Sequence, residues 1–308
     1  MQNILLVLLG PTGVGKTDLS IDIAGQCGCE IISCDSRQFY REMAIGTSPP
    51  TEDQQKKIKH NFIKFLSVKS YYSANLFERD VVNLLPELFR KNKIVLMTGG
   101  SGMYIDAVCD GIDDIPDVDP DIREIYTLKY KEEGLESLRA SLKLLDPEHY
   151  KKVDLRNYKR IIRALEICET TGQPYSTYLK NAKRKRDFRV IKIGLERSRE
   201  ELYERINVRV DMMIELGLEE EARTLYEFRN LNALNTVGYK EFFDLFEGKI
   251  SREKAVELIK RNSRRYAKRQ MTWWAKDNEI KWFHPEKKRE ILEYISDSIP
   301  PVSPLNGG

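Results

Sequence analysis

Apolar residues in this chain follow two rhythms. Ile4-Leu-Leu-Val-Leu-Leu9 is unbroken, and Glu30-Ile-Ile-Ser33, Lys93-Ile-Val-Leu-Met-Thr98, Val190-Ile-Lys-Ile-Gly-Leu195 and Ile280-Lys-Trp-Phe283 are shorter runs of the same kind. Such runs suit strands buried on both faces, as in a parallel sheet. Between them the spacing becomes helical. One helix begins near Lys16, and another near Ser73, whose hydroxyl can cap it, runs through Phe77, Val81, Leu84, Leu85 and Leu88. Strand and helix in alternation predict an α/β, doubly wound core. From Asp119 to about Lys183 the pattern is wholly helical: Gly134 to Leu142, then a helix with Asp154 as expected cap, running through Ile161, Ile162, Leu165 and Ile167 and stopping at Gly172. An all-helical block inside an α/β chain reads as an inserted domain. The expected division is 1–118 for the first part of the core, 119–186 for the insertion, 187–285 for the second part of the core and 286–308 for a C-terminal helix and flexible tail. Pro300 to Gly308 reads as the frayed end.

Length and composition agree with that division. A chain of 308 residues with 41% hydrophobic content can bury a sizeable core, and its length is that of about two domains. No run of about 18 apolar residues occurs, and Met1-Gln-Asn3 leads straight into the first strand, so the expectation is a soluble, cytoplasmic protein with no membrane partner. Cys27, Cys29, Cys34, Cys109 and Cys168 lack C-x-x-C spacing and lie far from His60, His149 and His284, which favours buried thiols over a zinc site or disulfides. Nothing in the sequence implies an obligate protein partner.

The net charge is only +3, yet Lys183-Arg-Lys-Arg186 and Arg261-Asn-Ser-Arg-Arg-Tyr-Ala-Lys-Arg269 concentrate cations in the second half. The first cluster reads equally well as a solvated face. Wound at about 100° per residue, the second places Arg261, Arg265 and Lys268 on one stripe flanked by Arg264 and Arg269. Val256, Ile259, Tyr266, Trp273 and Trp274 are expected on the opposite, core-facing side. A cationic stripe backed by an apolar face suits a polyanion.

The sharpest local signal is Gly10-Pro-Thr-Gly-Val-Gly-Lys-Thr17, a complete G-x-x-x-x-G-K-[ST] loop between a strand and a helix. It is the loop of nucleotide-binding and ATP-binding proteins. Its glycines let successive N–H groups turn inward, Lys16 reaches outer phosphate oxygens, and the Thr17 hydroxyl can sit on Mg²⁺. The motif alone leaves open whether the bound phosphate is transferred, hydrolysed or expelled. The strand ending at Thr98 is followed by glycines, without the usual metal-holding acid. Asp35 is the acid at the end of an early strand, and it reads either as a cap or outer-shell magnesium partner or as a base aimed at an acceptor.

Six blocks in series then carry a resemblance: Gly10 to Thr17, Asp35-Ser-Arg-Gln38, Ile45-Gly-Thr47, Gly99-Gly-Ser-Gly-Met-Tyr104, Asp154 to Glu166 and Arg264-Arg-Tyr-Ala-Lys-Arg-Gln-Met-Thr-Trp273. From residue 3 to about 283 the chain resembles the bacterial tRNA dimethylallyltransferases. That resemblance implies transfer of a dimethylallyl group from dimethylallyl diphosphate to the exocyclic amine of adenosine 37 in the tRNA anticodon stem-loop. It implies that Gly10, Pro11, Thr12, Gly13, Val14, Gly15, Lys16 and Thr17 cradle the diphosphate, with Thr17 on Mg²⁺. Asp35 would be the general base, acting with Thr12 and with Arg209, which would contact the diphosphate. The implied tRNA contacts are Asp35, Ser36, Arg37, Gln38, Ser101, Arg123 and Lys159, Arg160, Ile161, Ile162 and Arg163, which makes the insertion a tRNA clamp; the stripe of Arg261, Arg265 and Lys268 would add phosphate contacts. The chain departs from the family pattern at Pro49, where a lysine is usual, at His60-Asn61, where paired histidines are usual, and at Ser101, which replaces a threonine but keeps the hydroxyl.

The chemistry is coherent on its own terms. An adenine amine is a poor nucleophile, so a carboxylate that takes its proton during attack is worth about 10²–10⁴ in rate. The leaving diphosphate needs cations and N–H dipoles, and the loop then binds a leaving group without transferring phosphate. The rival readings are a P-loop small-molecule kinase with the insertion as lid, and a non-catalytic nucleotide-gated RNA-binding protein.

Overall fold

In the computed structural model, β1 (Ile4–Leu9), β2 (Ile31–Ser33), β3 (His60–Asn61), β4 (Ile94–Gly99), β5 (Arg189–Leu195) and β6 (Ile280–Phe283) form one parallel sheet, in the order β3-β2-β4-β1-β5-β6. Residues 2–116, 118, 120–180 and 183–299 are described, so the expected tail from Pro300 to Gly308 and the boundary residue Asp119 lie outside them. β1 is central, with Leu9 in register with Gly99 of β4 and Gly194 of β5. The loop leaving β1 therefore emerges beside the ends of two neighbouring strands, where doubly wound folds bind ligands.

The unbroken apolar run of β1 is explained by its two covered faces. Ile4, Leu6 and Leu8 pack with Leu19 and Ile23 of α1 (Lys16–Cys27), and in the same layer lie Leu202 and Ile206 of the eighth helix and Ile291 and Ile295 of the twelfth. Leu5, Val7 and Leu9 belong to the opposite layer with Phe77 and Val81. The remaining helices of the first half are α2 (Glu52–Lys57), α3 (Ala74–Lys91) and α4 (Gly102–Asp110). Ser73 caps α3, its hydroxyl accepting from the Leu76 N–H. α2 and β3 were not expected from the pattern: α2 buries no residue and is held by a Thr51–Gln54 capping box, and two residues of strand carry no period.

The chain divides into two compact units, Met1–Asp110 with Lys185–Gly308 and Gly111–Arg184. The second unit starts where α4 ends, at Gly111 with φ 88, ahead of the expected 119, and stops at Arg184 instead of 186. It contains α5 (Pro120–Leu145), α6 (Pro147–Tyr150) and α7 (Tyr158–Thr171) around Tyr126, Leu138, Leu142, Ile161, Ile162 and Leu165. α5 breaks at Gly134 (φ 80), so the stretch to Leu142 is its second limb. Asn157, not Asp154, caps α7 by accepting from the Arg160 N–H. Asp154 instead accepts from the Arg156 N–H two residues on, the short-range bond that draws aspartates into turns. Gly172 ends α7 in the left-handed conformation.

The first unit resumes with β5 and continues through α8 (Arg199–Glu215), α9 (Leu218–Thr224), α10 (Tyr239–Phe246), α11 (Arg252–Trp274) and α12 (Lys288–Ser298). The 286–308 segment thus holds a helix that packs on the sheet through Ile291 and Ile295. No helix of the described residues is long and apolar enough to cross a membrane.

Candidate functional site

The loop between β1 and α1 is shaped by close packing. At Gly13 (φ 81) a Cβ would lie 2.9 Å from Ile206 of α8, so only glycine lets the loop turn there. At the end of β4, a Cβ on Gly99 would fall 1.9 Å from the Cys34 carbonyl oxygen, so glycine there lets the strand ends that carry Asp35 and Ser101 meet. Gly15, in the capping position before α1, has no side chain to cap it, which leaves the first N–H groups of the helix as donors toward the loop. Lys16 Nζ donates to the Gly10 and Pro11 carbonyls at 2.8 and 2.9 Å. Burial, reinforced by Arg209 and opposed by Asp35, pushes the Lys16 amine down to about 8.

Arg209 reaches in from α8. Its guanidinium donates to Thr12 Oγ1 at 2.6 Å and to the Thr47 carbonyl at 3.3 Å, and burial lowers its pKa against the pull of Asp35. Asp35, Lys16 and Arg209 therefore form one electrostatic group, which Arg209 ties to Thr12. A half-buried pair of cations whose charge is costly is a site prepared for a polyanion. Asp35 follows β2, half-buried, with Oδ1 accepting from the Arg37 N–H at 3.0 Å.

The Asp35–Gln38 segment splits into side chains that face the site and side chains that build it. The Ser36 N–H donates to Ser101 Oγ at 3.0 Å, and the two hydroxyls are 3.2 Å apart. Arg37 donates instead to the Asn232 and Ala233 carbonyls, and Gln38 bridges Ser33 to the Thr47 and Ser48 carbonyls. In the helical unit Lys159 and Arg160 are exposed, whereas Ile161 and Ile162 lie in its core, so those two side chains cannot touch RNA. The reason is the helical period, which turns residues 161 and 162 of α7 inward. Arg123 and Arg163 both pair with Glu166, which is fully buried.

The basic helix α11 corrects another expectation. Arg265 and Lys268 are exposed, but Arg261 is half-buried, with its Nε buried and unbonded among the described residues. Ile259 and Trp274 are buried as expected, while Tyr266 and Trp273 remain 37% and 49% exposed. Core-facing positions on α11 are held instead by Ala255, Ala267 and Gln270. Tyr266 faces Ser101; burial and then the Asp35 charge push its phenol up to about 12.

Gln270 is a site residue that the sequence does not single out. Its Oε1 accepts from the Thr12 N–H at 2.9 Å and its Nε2 donates to the buried Gly100 carbonyl at 2.7 Å, which ties the phosphate loop to the end of β4. A Gln on an arginine-rich helix carries no sequence signal of that role. Glu221, likewise unforeseen, accepts from the Ile45 and Gly46 N–H groups and from the Tyr239 hydroxyl, holding the 45–48 loop against which Arg209 rests. Glu201, His284 and Glu286 place ligand atoms within 4.8 Å of one another. Arg197 pairs with both carboxylates and lies 3.4 Å from the His284 ring, so a cation of the chain itself already occupies this cluster.

Sheet order and site together define a P-loop α/β protein in which a phosphate cradle, two half-buried cations and a strand-end carboxylate converge. A family model described as IPP transferase matches residues 38–277. The sequence is 58% identical over 293 residues to tRNA dimethylallyltransferase 1 of Porphyromonas gingivalis, covering 95% of this chain and 98% of the relative. It is 54% identical over 295 residues to tRNA dimethylallyltransferase 1 of Bacteroides fragilis, covering 96% and 98%. Among solved structures, the full-length tRNA isopentenylpyrophosphate transferase of Bacillus halodurans matches with 34% identity and a TM-score of 0.69 over 96% of each chain. A eukaryotic dimethylallyltransferase acting on tRNA matches with 25% identity and a TM-score of 0.79, over 98% of this chain and 81% of that one. The chain belongs to the IPP transferase family. That membership sets aside the kinase reading.

Proposed function

We propose that the protein transfers the dimethylallyl group of dimethylallyl diphosphate to N6 of adenosine 37 in the tRNA anticodon stem-loop, releasing diphosphate. The observation that carries this reading is the placement of the Asp35 carboxylate in one electrostatic group with Lys16 and Arg209, beside the phosphate loop. The N6 lone pair attacks the allylic carbon as the C–O bond breaks and its electrons pass to the diphosphate oxygen. Asp35 accepts the proton that the amine loses. Lys16, Arg209, the Thr12 hydroxyl and the first N–H groups of α1 stabilise the leaving group, a role that preorganised donors fill best in a partly dry site. Arg209 holds Thr12, and Gln270 holds the same residue from the other side.

The half-buried Thr17 hydroxyl makes no hydrogen bond among the described residues, and a free hydroxyl next to a polyanion cradle fits Mg²⁺, which prefers oxygen donors. Thr17 would hold the ion, which would neutralise charge on the departing diphosphate. Ser36 and Ser101 at the acceptor side, with exposed Lys159 and Arg160 on the helical unit, are the side chains we assign to tRNA; Arg37, Gln38, Arg123 and Arg163 support the surfaces from which those contacts are made. With tRNA as acceptor, we assign the protein to the cytoplasm. Incubation with unmodified anticodon stem-loop and labelled dimethylallyl diphosphate, without ATP, tests the reading. Label in the RNA is expected; none, or label that depends on ATP, overturns it.

A further inference from the structure

Tyr266, Arg269 and Trp273 stand three and four residues apart on α11, so they share one face. All three are exposed, and the Arg269 guanidinium lies 5.6 Å from the Tyr266 ring centroid. Trp273 is fixed from beneath: its indole N–H donates to Asp106 at 2.8 Å, and its ring covers Gly102 so closely that a Cβ there would lie 2.5 Å from the indole. Met103, next to Gly102, is 49% exposed beside it. An indole held in place by a hydrogen bond yet left half open to solvent, on the same helix face as the exposed Tyr266 ring, belongs to an exposed apolar surface of the kind that marks an interaction site. Tyr266 links this surface to the acceptor site, since its phenol faces Ser101 and feels Asp35.

We propose that Tyr266 and Trp273 are the stacking platform for unpaired RNA bases adjoining the acceptor adenosine. The inference rests on the reading of the protein as a tRNA-modifying enzyme. Flat rings with an arginine over one of them, bordered by the exposed cations Arg265 and Lys268, match a single-stranded nucleic acid, whose bases stack and whose phosphates need countercharge. An apolar protein partner would gain nothing from that cationic border. A base unstacked from the anticodon loop to reach Asp35 leaves its neighbours with open faces, and this surface offers those faces new partners. The platform reads no base identity, because every base has a π-face; it contributes affinity and holds the loop open.

Binding of a synthetic unmodified anticodon stem-loop, followed by tryptophan fluorescence across a salt series, tests the proposal. Y266L and W273L are each expected to weaken binding by about tenfold. The slope of log K against log salt stays unchanged, since stacking releases no counterions. Y266F and W273F retain a ring and are expected to bind close to wild type. The wild-type fluorescence is quenched on binding, and W273L loses most of that quenching. Wild-type affinity in the leucine variants, or phenylalanine variants as weak as the leucine ones, would overturn the platform while leaving the transferase reading intact. A wild-type protein that neither binds the stem-loop nor labels it would overturn that reading, and the platform with it.

Discussion

Replacing Gln270 with leucine isolates the device that holds the phosphate loop. Leucine fills nearly the same volume on α11 but accepts nothing from the Thr12 N–H and donates nothing to the Gly100 carbonyl. Thr12 is half-buried, so water can replace its lost partner at a net cost of about 1 kcal/mol. Gly100 is buried, and an unsatisfied carbonyl there costs about 1–3 kcal/mol. The apolar gain of leucine over the amide returns about 1 kcal/mol, leaving a destabilisation of about 2 kcal/mol. Urea unfolding should show that loss as a lower midpoint at unchanged slope. The catalytic effect should exceed what stability explains, because Thr12 is also the hydroxyl to which Arg209 bonds. Loosening it by about 1 Å is expected to cut kcat on the order of 10²-fold, with KM for the RNA nearly unchanged. A variant that loses stability but keeps full kcat would show that Gln270 is only a structural tie, and one that loses neither would refute the argument.

Other expected outcomes follow from the same geometry. Asp35→Asn keeps the acceptor for the Arg37 N–H but no longer takes a proton, so single-turnover transfer should fall by about 10²–10⁴ with diphosphate and tRNA affinity retained; a near-normal rate would remove Asp35 as base. Because the Lys16 amine is held down at about 8, below its ordinary 10.5, the folded chain loses this charge as pH rises through about 8 while the unfolded chain keeps it up to about 10.5. Its burial penalty on stability is therefore full below pH 8 and relieved between about 8 and 10.5. Binding of inorganic diphosphate at pH 9 should accordingly take up a proton, measurable by calorimetry in buffers of different ionisation heat, and K16A should abolish that uptake. Neutralising Arg265 and Lys268 together with glutamine should reduce the salt slope of stem-loop binding by about 1.4–1.8, since each phosphate contact contributes about 0.7–0.9; an unchanged slope would make them a solvated face.

The sequence by itself determined the parts whose cause is local. The phosphate loop is legible because eight consecutive residues make it, the Ser73 cap because a side chain bonds three residues ahead, and the β1 strand because burial on both faces leaves an unbroken apolar run. Asp35 and Arg209 were also named from the sequence, Asp35 by its position at a strand end and Arg209 through family resemblance. Tertiary structure decided what depends on which neighbour arrives. Helical period put Tyr266 and Trp273 on the apolar side of α11, but Gly102 and Asp106 of α4 meet only one face of the indole, and the core takes Ala267 and Gln270 instead. Gln270 is polar and carries no periodic signal, yet two backbone groups separated from it by more than 150 residues give it its place. Asp154 and Asn157 are equally good caps in isolation, and the turn that Asp154 closes with Arg156 leaves Asn157 at the helix start. A period in the sequence reports which side of a helix is apolar; how far that side is covered depends on strands and helices that join it only when the sheet is assembled.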